Sequence, residues 1–66
     1  MRGKVFFLGS DPWLSPQGDG EQYPVKVFWS EAQKAGIRLV AGMQIECRVQ
    51  RPQFAAFYAI DLQEVK

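Results

Sequence analysis

The residues of this chain best equipped for chemistry stand together at 25–29, Val-Lys-Val-Phe-Trp. Val25 and Val27 alternate with Lys26 and Phe28, the period-2 pattern of a half-buried strand. With the valines turned to a core, Lys26 and Phe28 face water, and Trp29 follows at once. Rings and a cation do not break bonds. They hold flat, apolar or charged groups, so the chemistry on offer here is recognition.

Bond-making chemistry has little to stand on. The chain has no histidine, which removes the usual zinc sites and most proton shuttles. Its single cysteine allows neither an internal disulfide nor a thiolate cluster. Cys47 falls on the inward side of an alternating stretch and reads as a small core hydrophobe. Asp19 and Glu21 in "GDGE" have no partner acid or base nearby in sequence and read as a solvated turn. No enzymatic activity, metal or cofactor is expected.

The elements that must position the rings belong to one small domain spanning all 66 residues. A chain of this size buries only about 60% of its unfolded surface. Aromatics nevertheless make up 14% of it, too many for so small a core, and some are left for a surface that binds. The net charge of +1 provides no global field for polyanions, though a local basic patch remains open. No apolar run approaches the roughly 20 residues that span a bilayer. The apolar patch in "MRGKVFFLGS" is shorter than the roughly 7–15 residues of a signal-peptide core. A soluble, cytoplasmic protein is the expectation.

Residues 4–8 read as a strand, "GSDP" at 9–12 as a turn, and "WLS" at 13–15 as a short strand. Residues 16–24 read as loop and 25–29 as a strand. "SEAQKAG" at 30–36 reads as a short helical turn with Ser30 as N-cap and Gly36 as stop. "MQIECRVQ" at 43–50 alternates without a fault: Ile45, Cys47 and Val49 face in, while Gln44, Glu46, Arg48 and Gln50 face out. "RPQ" at 51–53 is a turn. Residues 54–65 fit a helical stripe (Phe54, Phe57, Tyr58, Leu62, Val65) or a strand face (Ala56, Tyr58, Ile60, Leu62), with 57–62 leaning to strand. Four or five short strands in so short a chain are best closed into a barrel, because closure removes exposed edges. The fold class is all-β, a small five-stranded antiparallel Greek-key barrel with one short helical turn.

The sequence resembles the cold-shock domain, an oligonucleotide-binding barrel of the OB-fold type. "LVAGMQIECRV" follows the family's Leu-x-x-Gly-x-x-Val-x-Phe-x-Val, with Leu39, Gly42, Ile45, Cys47 and Val49 in register. "GIR" at 36–38 resembles the Gly-Phe-Lys before it, with one residue fewer in the join. "MRGKVFFL" is similar to the opening Gly-x-Val-Lys-Trp-Phe. "VKVFWSEA" is similar to Val-Phe-Val-His-Phe-Ser-x-Ile, the second ribonucleoprotein motif, and "FYAIDL" to the closing Ala-x-Asn-Val. The first ribonucleoprotein motif, Lys-Gly-Phe/Tyr-Gly-Phe-Ile, is reduced to "SDPWL". There Trp13 takes the place of the last Phe and Leu14 that of the Ile.

The resemblance implies binding of single-stranded RNA or DNA, with rings for the bases and cations for the phosphates. It aligns Phe7 with the family's stacking Trp and Trp13 with a stacking Phe. Phe28 and Trp29 align with the His and Phe of the second motif, Ile37 with a loop Phe, and Lys26 with a further stacking Phe. Lys4, Phe6, Lys26 and Arg38 would lie on or beside this face. Plainer roles stand beside these. Phe7 and Trp29 suit an undersized core equally well, Trp13 the mouth of the barrel, and Lys26 and Arg38 simple solvation. Glu46 and Arg48 read as an exposed ion pair. Phe54 and Phe57 suit the core or a patch for a protein partner. The alternative function is a protein–protein module or homodimer, which the broken first motif and the lost ring at Lys26 favour.

Overall fold

A computed structural model describes residues 1–18 and 23–66. Asp19 and Glu21 of the acidic loop lie outside the described residues. Among those described, five strands close into a barrel, β1 (Arg2–Leu8), β2 (Asp11–Pro16), β3 (Val25–Lys26), β4 (Gln44–Gln50) and β5 (Tyr58–Glu64), in the order β1-β2-β3-β5-β4. One helix, α1 (Trp29–Ala35), follows β3 and packs on β5. No helix among the described residues is long and apolar enough to cross a membrane. The all-β barrel matches the sequence expectation, with one refinement: β3 and β5 run parallel, while the other neighbours are antiparallel. A ring of five strands cannot alternate direction all the way round, so closure requires a parallel pair.

The core forms where the alternating apolar residues of all five strands meet. Val5, Leu14, Val25, Val27, Ile45, Cys47, Ala59 and Leu62 are buried. Gly3 belongs to the same inward row, and its missing side chain is a necessity. A Cβ there would stand 2.9 Å from the Ser15 carbonyl oxygen and 3.1 Å from the Leu14 Cβ. The strand pairing that brings Gly3 opposite both Pro16 and Ile45 leaves no room for it.

The first hairpin is tighter than "GSDP" suggests. Only Gly9 and Ser10 turn, and Asp11 and Pro12 already belong to β2. Gly9 holds φ +64 at the first position of this two-residue turn, where a type II′ hairpin demands glycine. Pro12 is tolerated inside a strand because its carbonyl, facing β3, accepts from the Val27 N–H at 3.1 Å. The N–H that proline lacks would point to the same side, so the loss falls where β3 gives way to α1, at the end of the β2–β3 pairing rather than within it.

The strand read over 25–29 stops at Lys26, and the helix starts earlier than Ser30 implies. Phe28 is the N-cap, still extended at φ −85 and ψ 137, with no side-chain cap. Its carbonyl accepts from the N–H groups of Glu31 and Ala32 at 3.0 and 3.3 Å. Ser30 lies within the first turn. Burial of Ala32 against the barrel sets the start, overriding the local capping preference. Gly36 ends α1 in the left-handed region, φ 70 and ψ 28. The Ile37 N–H reaches the Ala32 carbonyl at 2.9 Å and the Gly36 N–H that of Gln33 at 3.1 Å, the paired bonds of a Schellman motif.

The ambiguous last segment is strand, but its face is not the simple one. Arg48 pairs with Ile60 and Glu46 with Gln63, so Cys47 alone opposes both Asp61 and Leu62. This β-bulge holds Asp61 at φ 53 and shifts the alternation by one residue. Tyr58 and Ile60 consequently sit on the side away from Ala59, while Leu62 turns inward beside it. Glu46 and Arg48 do not pair with each other. Arg2 meets Glu46 at 3.8 Å and Arg48 meets Asp61 at 3.3 Å, because neighbours across strands are closer than next-but-one residues along a strand.

Candidate functional site

The outward residues of the barrel line up across it. Phe6 pairs with Trp13, Trp13 with Lys26, Lys26 with Tyr58 and Tyr58 with Gln50. Directly opposed residues stand about 5 Å apart at their Cβ atoms, so this register makes one continuous row. Lys26 has its ammonium 5.1 Å from the Trp13 ring centroid and 5.8 Å from that of Phe28. Phe28 continues the outward parity of Lys26 and meets Tyr58 edge-to-face, with centroids 5.5 Å apart. It remains 42% exposed, while Val25 and Val27 on the opposite side are fully buried. The opening pattern therefore sorts as its alternation requires.

Lys4 lies two residues from Phe6 on the same side of β1 and is exposed. Among the described residues, the two ion pairs use Arg2, Glu46, Arg48 and Asp61. The charges of Lys4 and Lys26 thus have no described carboxylate against them. The Lys26 ammonium instead lies over two rings, a cation–π arrangement of roughly 0.5–1 kcal/mol per contact at an exposed site.

The remaining sequence candidates divide. Phe7 has the inward parity of Val5 and packs, half-buried, on the core. Trp29 stacks over it at 6.2 Å and 28° and keeps 49% exposure. Phe7 is thus a supporting ring and Trp29 the wet one. Trp13 faces outward, and Pro12 and Leu14 fill the barrel interior instead. Ile37 also packs on the core, half-buried behind the helix stop. Arg38 is exposed on the connection from α1 to β4, outside the strand register that aligns the others. Phe57 packs against the core, whereas Phe54 is 92% exposed.

Two parts of this surface escape a sequence reading. Tyr58 enters the row through the parallel pairing of β3 with β5, which no local pattern announces. Beyond Trp13 lies an apolar cleft of about 340 Å³ lined by Trp13, Tyr23, Pro24, Ala55, Ala56 and Phe57. Tyr23 meets Phe57 edge-to-face at 6.2 Å, and the Arg51 guanidinium lies 5.4 Å from the Phe57 centroid. The signal that existed was the pairing of turn residues with rings at 23–24 and 51–57 in the loops before β3 and β5.

Cys47 is buried in the inward row, its thiol 3.7 Å from the Met1 sulfur. Burial pushes this thiol above its ordinary value, against the pull of the Met1 ammonium and with a smaller push from Glu46, which suits packing better than nucleophilic attack. Among the described residues, no group of three or more His, Cys, Asp or Glu could hold a metal ion. Set against protein-family models, curated proteins and solved structures, the chain matches none.

Proposed function

We propose that the row Phe6–Trp13–Lys26–Phe28–Tyr58 binds single-stranded nucleic acid, RNA or DNA, by stacking bases on its rings. The observation that carries this reading is the place of Lys26, whose ammonium lies within 6 Å of both the Trp13 and Phe28 rings. A base stacked on either ring brings its phosphate toward that charge. Stacking is worth about 1–3 kcal/mol per base and tolerates any sequence, since every base has a π-face. In OB-type barrels the surface of strands 2 and 3 holds oligonucleotides, and here β2 supplies Trp13 and β3 supplies Lys26. The resemblance of "VKVFWSEA" to the second ribonucleoprotein motif of cold-shock domains supports the same reading.

The test is tryptophan fluorescence during titration with oligothymidine and oligouridine. Quenching is expected, with binding weakened about tenfold by Phe28→Ala while circular dichroism stays unchanged. Unchanged fluorescence up to millimolar oligonucleotide sinks the proposal. A second reading, a protein partner or a homodimer, is favoured by Phe54, which at 92% exposure offers a whole ring to solvent. Sedimentation that shows a dimer, lost on Phe54→Ser, would favour it.

A further inference from the structure

We infer that Asp11 gives the stacking row a preference for guanine: its carboxylate accepts from the two adjacent N–H donors on the edge of a guanine stacked on Phe28. The inference rests on the stacking reading above and deepens it, since stacking alone is tolerant of sequence. Asp11 is the acid that the strand register sets beside the row. It faces outward, two residues before Trp13 on β2, and is exposed. On one side it pairs with Leu8 of β1. On the other, Trp13 pairs with Lys26 and the Val27 N–H reaches the Pro12 carbonyl at 3.1 Å, so the next step along brings Phe28 beside Asp11. Phe28 is still extended there, at φ −85 and ψ 137.

The row has charges of opposite sign on its two flanks. Phe6 pairs with Trp13, and from that pair Lys4 lies two residues to one side while Asp11 lies two residues to the other. Lys26 stands within the row, its ammonium 5.8 Å from the Phe28 centroid. Among the described residues, the ion pairs use Arg2, Glu46, Arg48 and Asp61 and leave Asp11 out. A strand laid along the row has its phosphates drawn to the lysines and repelled by Asp11, so it turns base edges toward the carboxylate. A carboxylate only accepts hydrogen bonds, through two oxygens side by side. Guanine alone among the bases sets two N–H donors side by side, N1–H and the 2-amino group, and these meet both oxygens. Adenine and cytosine have a ring-nitrogen acceptor next to their amino group, and the imide N–H of thymine or uracil lies between two carbonyls. In each of these a lone pair comes to face the carboxylate.

The experiment titrates the wild-type chain with oligothymidine and with the same oligomer holding one guanine at successive positions, read by tryptophan fluorescence. Guanine at the matching position should tighten binding about fivefold, the low end for a bidentate pair because the site is open to water. Inosine there, which lacks the 2-amino group, should lose most of the gain. A 7-deazaguanine, which keeps both donors, should retain it. Asp11→Asn replaces one accepting oxygen by a donor and should erase the preference for guanine over thymine, with circular dichroism as the check on the fold. The inosine and 7-deazaguanine arms use the wild type, so they decide the matter even if the variant does not fold. If oligothymidine binds and Phe28→Ala weakens it, but guanine brings no gain, or the gain survives inosine or Asp11→Asn, the row stands and Asp11 reads no base. If the wild type binds neither oligomer, the row has failed and the inference with it.

Discussion

Lys26 and Trp13 face each other across the β2–β3 pairing, with the ammonium 5.1 Å from the indole centroid. The sequence separates them by the whole connection from β2 to β3. Their meeting places a cation over an indole ring, the pair on which the proposed binding of a nucleotide draws. Lys26→Met keeps a side chain of similar length and removes the charge. If one phosphate is held there, the slope of log affinity against log salt becomes shallower by about 0.7. The wild-type slope should itself be shallow, since the face offers few cations. A steep wild-type slope would point to charge rather than stacking as the driving force.

Gly3→Ala should destabilise the barrel by about 1–3 kcal/mol, read as a lower urea midpoint. The added carbon meets a backbone carbonyl at 2.9 Å, and backbone in a closed barrel yields less readily than a side-chain tip. A midpoint within error of wild type would mean that the β1–β2 contact relaxes freely.

The bulge at Asp61 makes a contrast of three variants. Arg48→Ala should cost under about 1 kcal/mol, because the pair it breaks is exposed. Asp61→Gly should also lie within about 1 kcal/mol of wild type, since glycine adopts φ 53 without strain. Asp61→Val should cost about 1–3 kcal/mol, because a β-branched residue resists the left-handed region. Equal losses for Gly and Val would transfer the effect from the backbone to the ion pair.

Burial raises the Cys47 thiol above the ordinary value of 9.0. The folded state therefore holds the thiol proton more tightly than the unfolded chain does. Its contribution is complete below the unfolded value and is lost as pH rises through the folded one. Wild-type stability should fall between about pH 9 and the raised value more steeply than that of Cys47→Ala. The native thiol should react slowly with iodoacetamide at neutral pH and quickly in denaturant. Equal rates in both would place the thiol in solvent.

The legible parts of this fold were those where local pattern and tertiary demand agree. Residues 44–50 alternate apolar and polar without interruption, and β4 uses that alternation as it stands. Gly36 reads as a helix stop and is one. Ser30 reads as a cap but lies inside α1, because packing of Ala32 on the barrel outweighs one side-chain hydrogen bond. The rings at 25–29 were visible as a wet aromatic group. Tyr58 was not assigned to that group, because its neighbour across the sheet is Lys26 only through a parallel pairing.

By itself the sequence determined the alternations that sort Val25 and Val27 from Lys26 and Phe28, the glycine at each forced turn, and the surplus of rings over core. These depend on periods of two or four residues and on steric limits of single residues, so a short window contains them. Only the tertiary structure decided the closure order, the parallel pair it requires, the bulge that turns Leu62 inward, and the alignment of Phe6, Trp13, Lys26 and Tyr58 into one row. Those depend on which strands become neighbours, which is set by burying all the apolar faces at once in a ring too small to leave an edge.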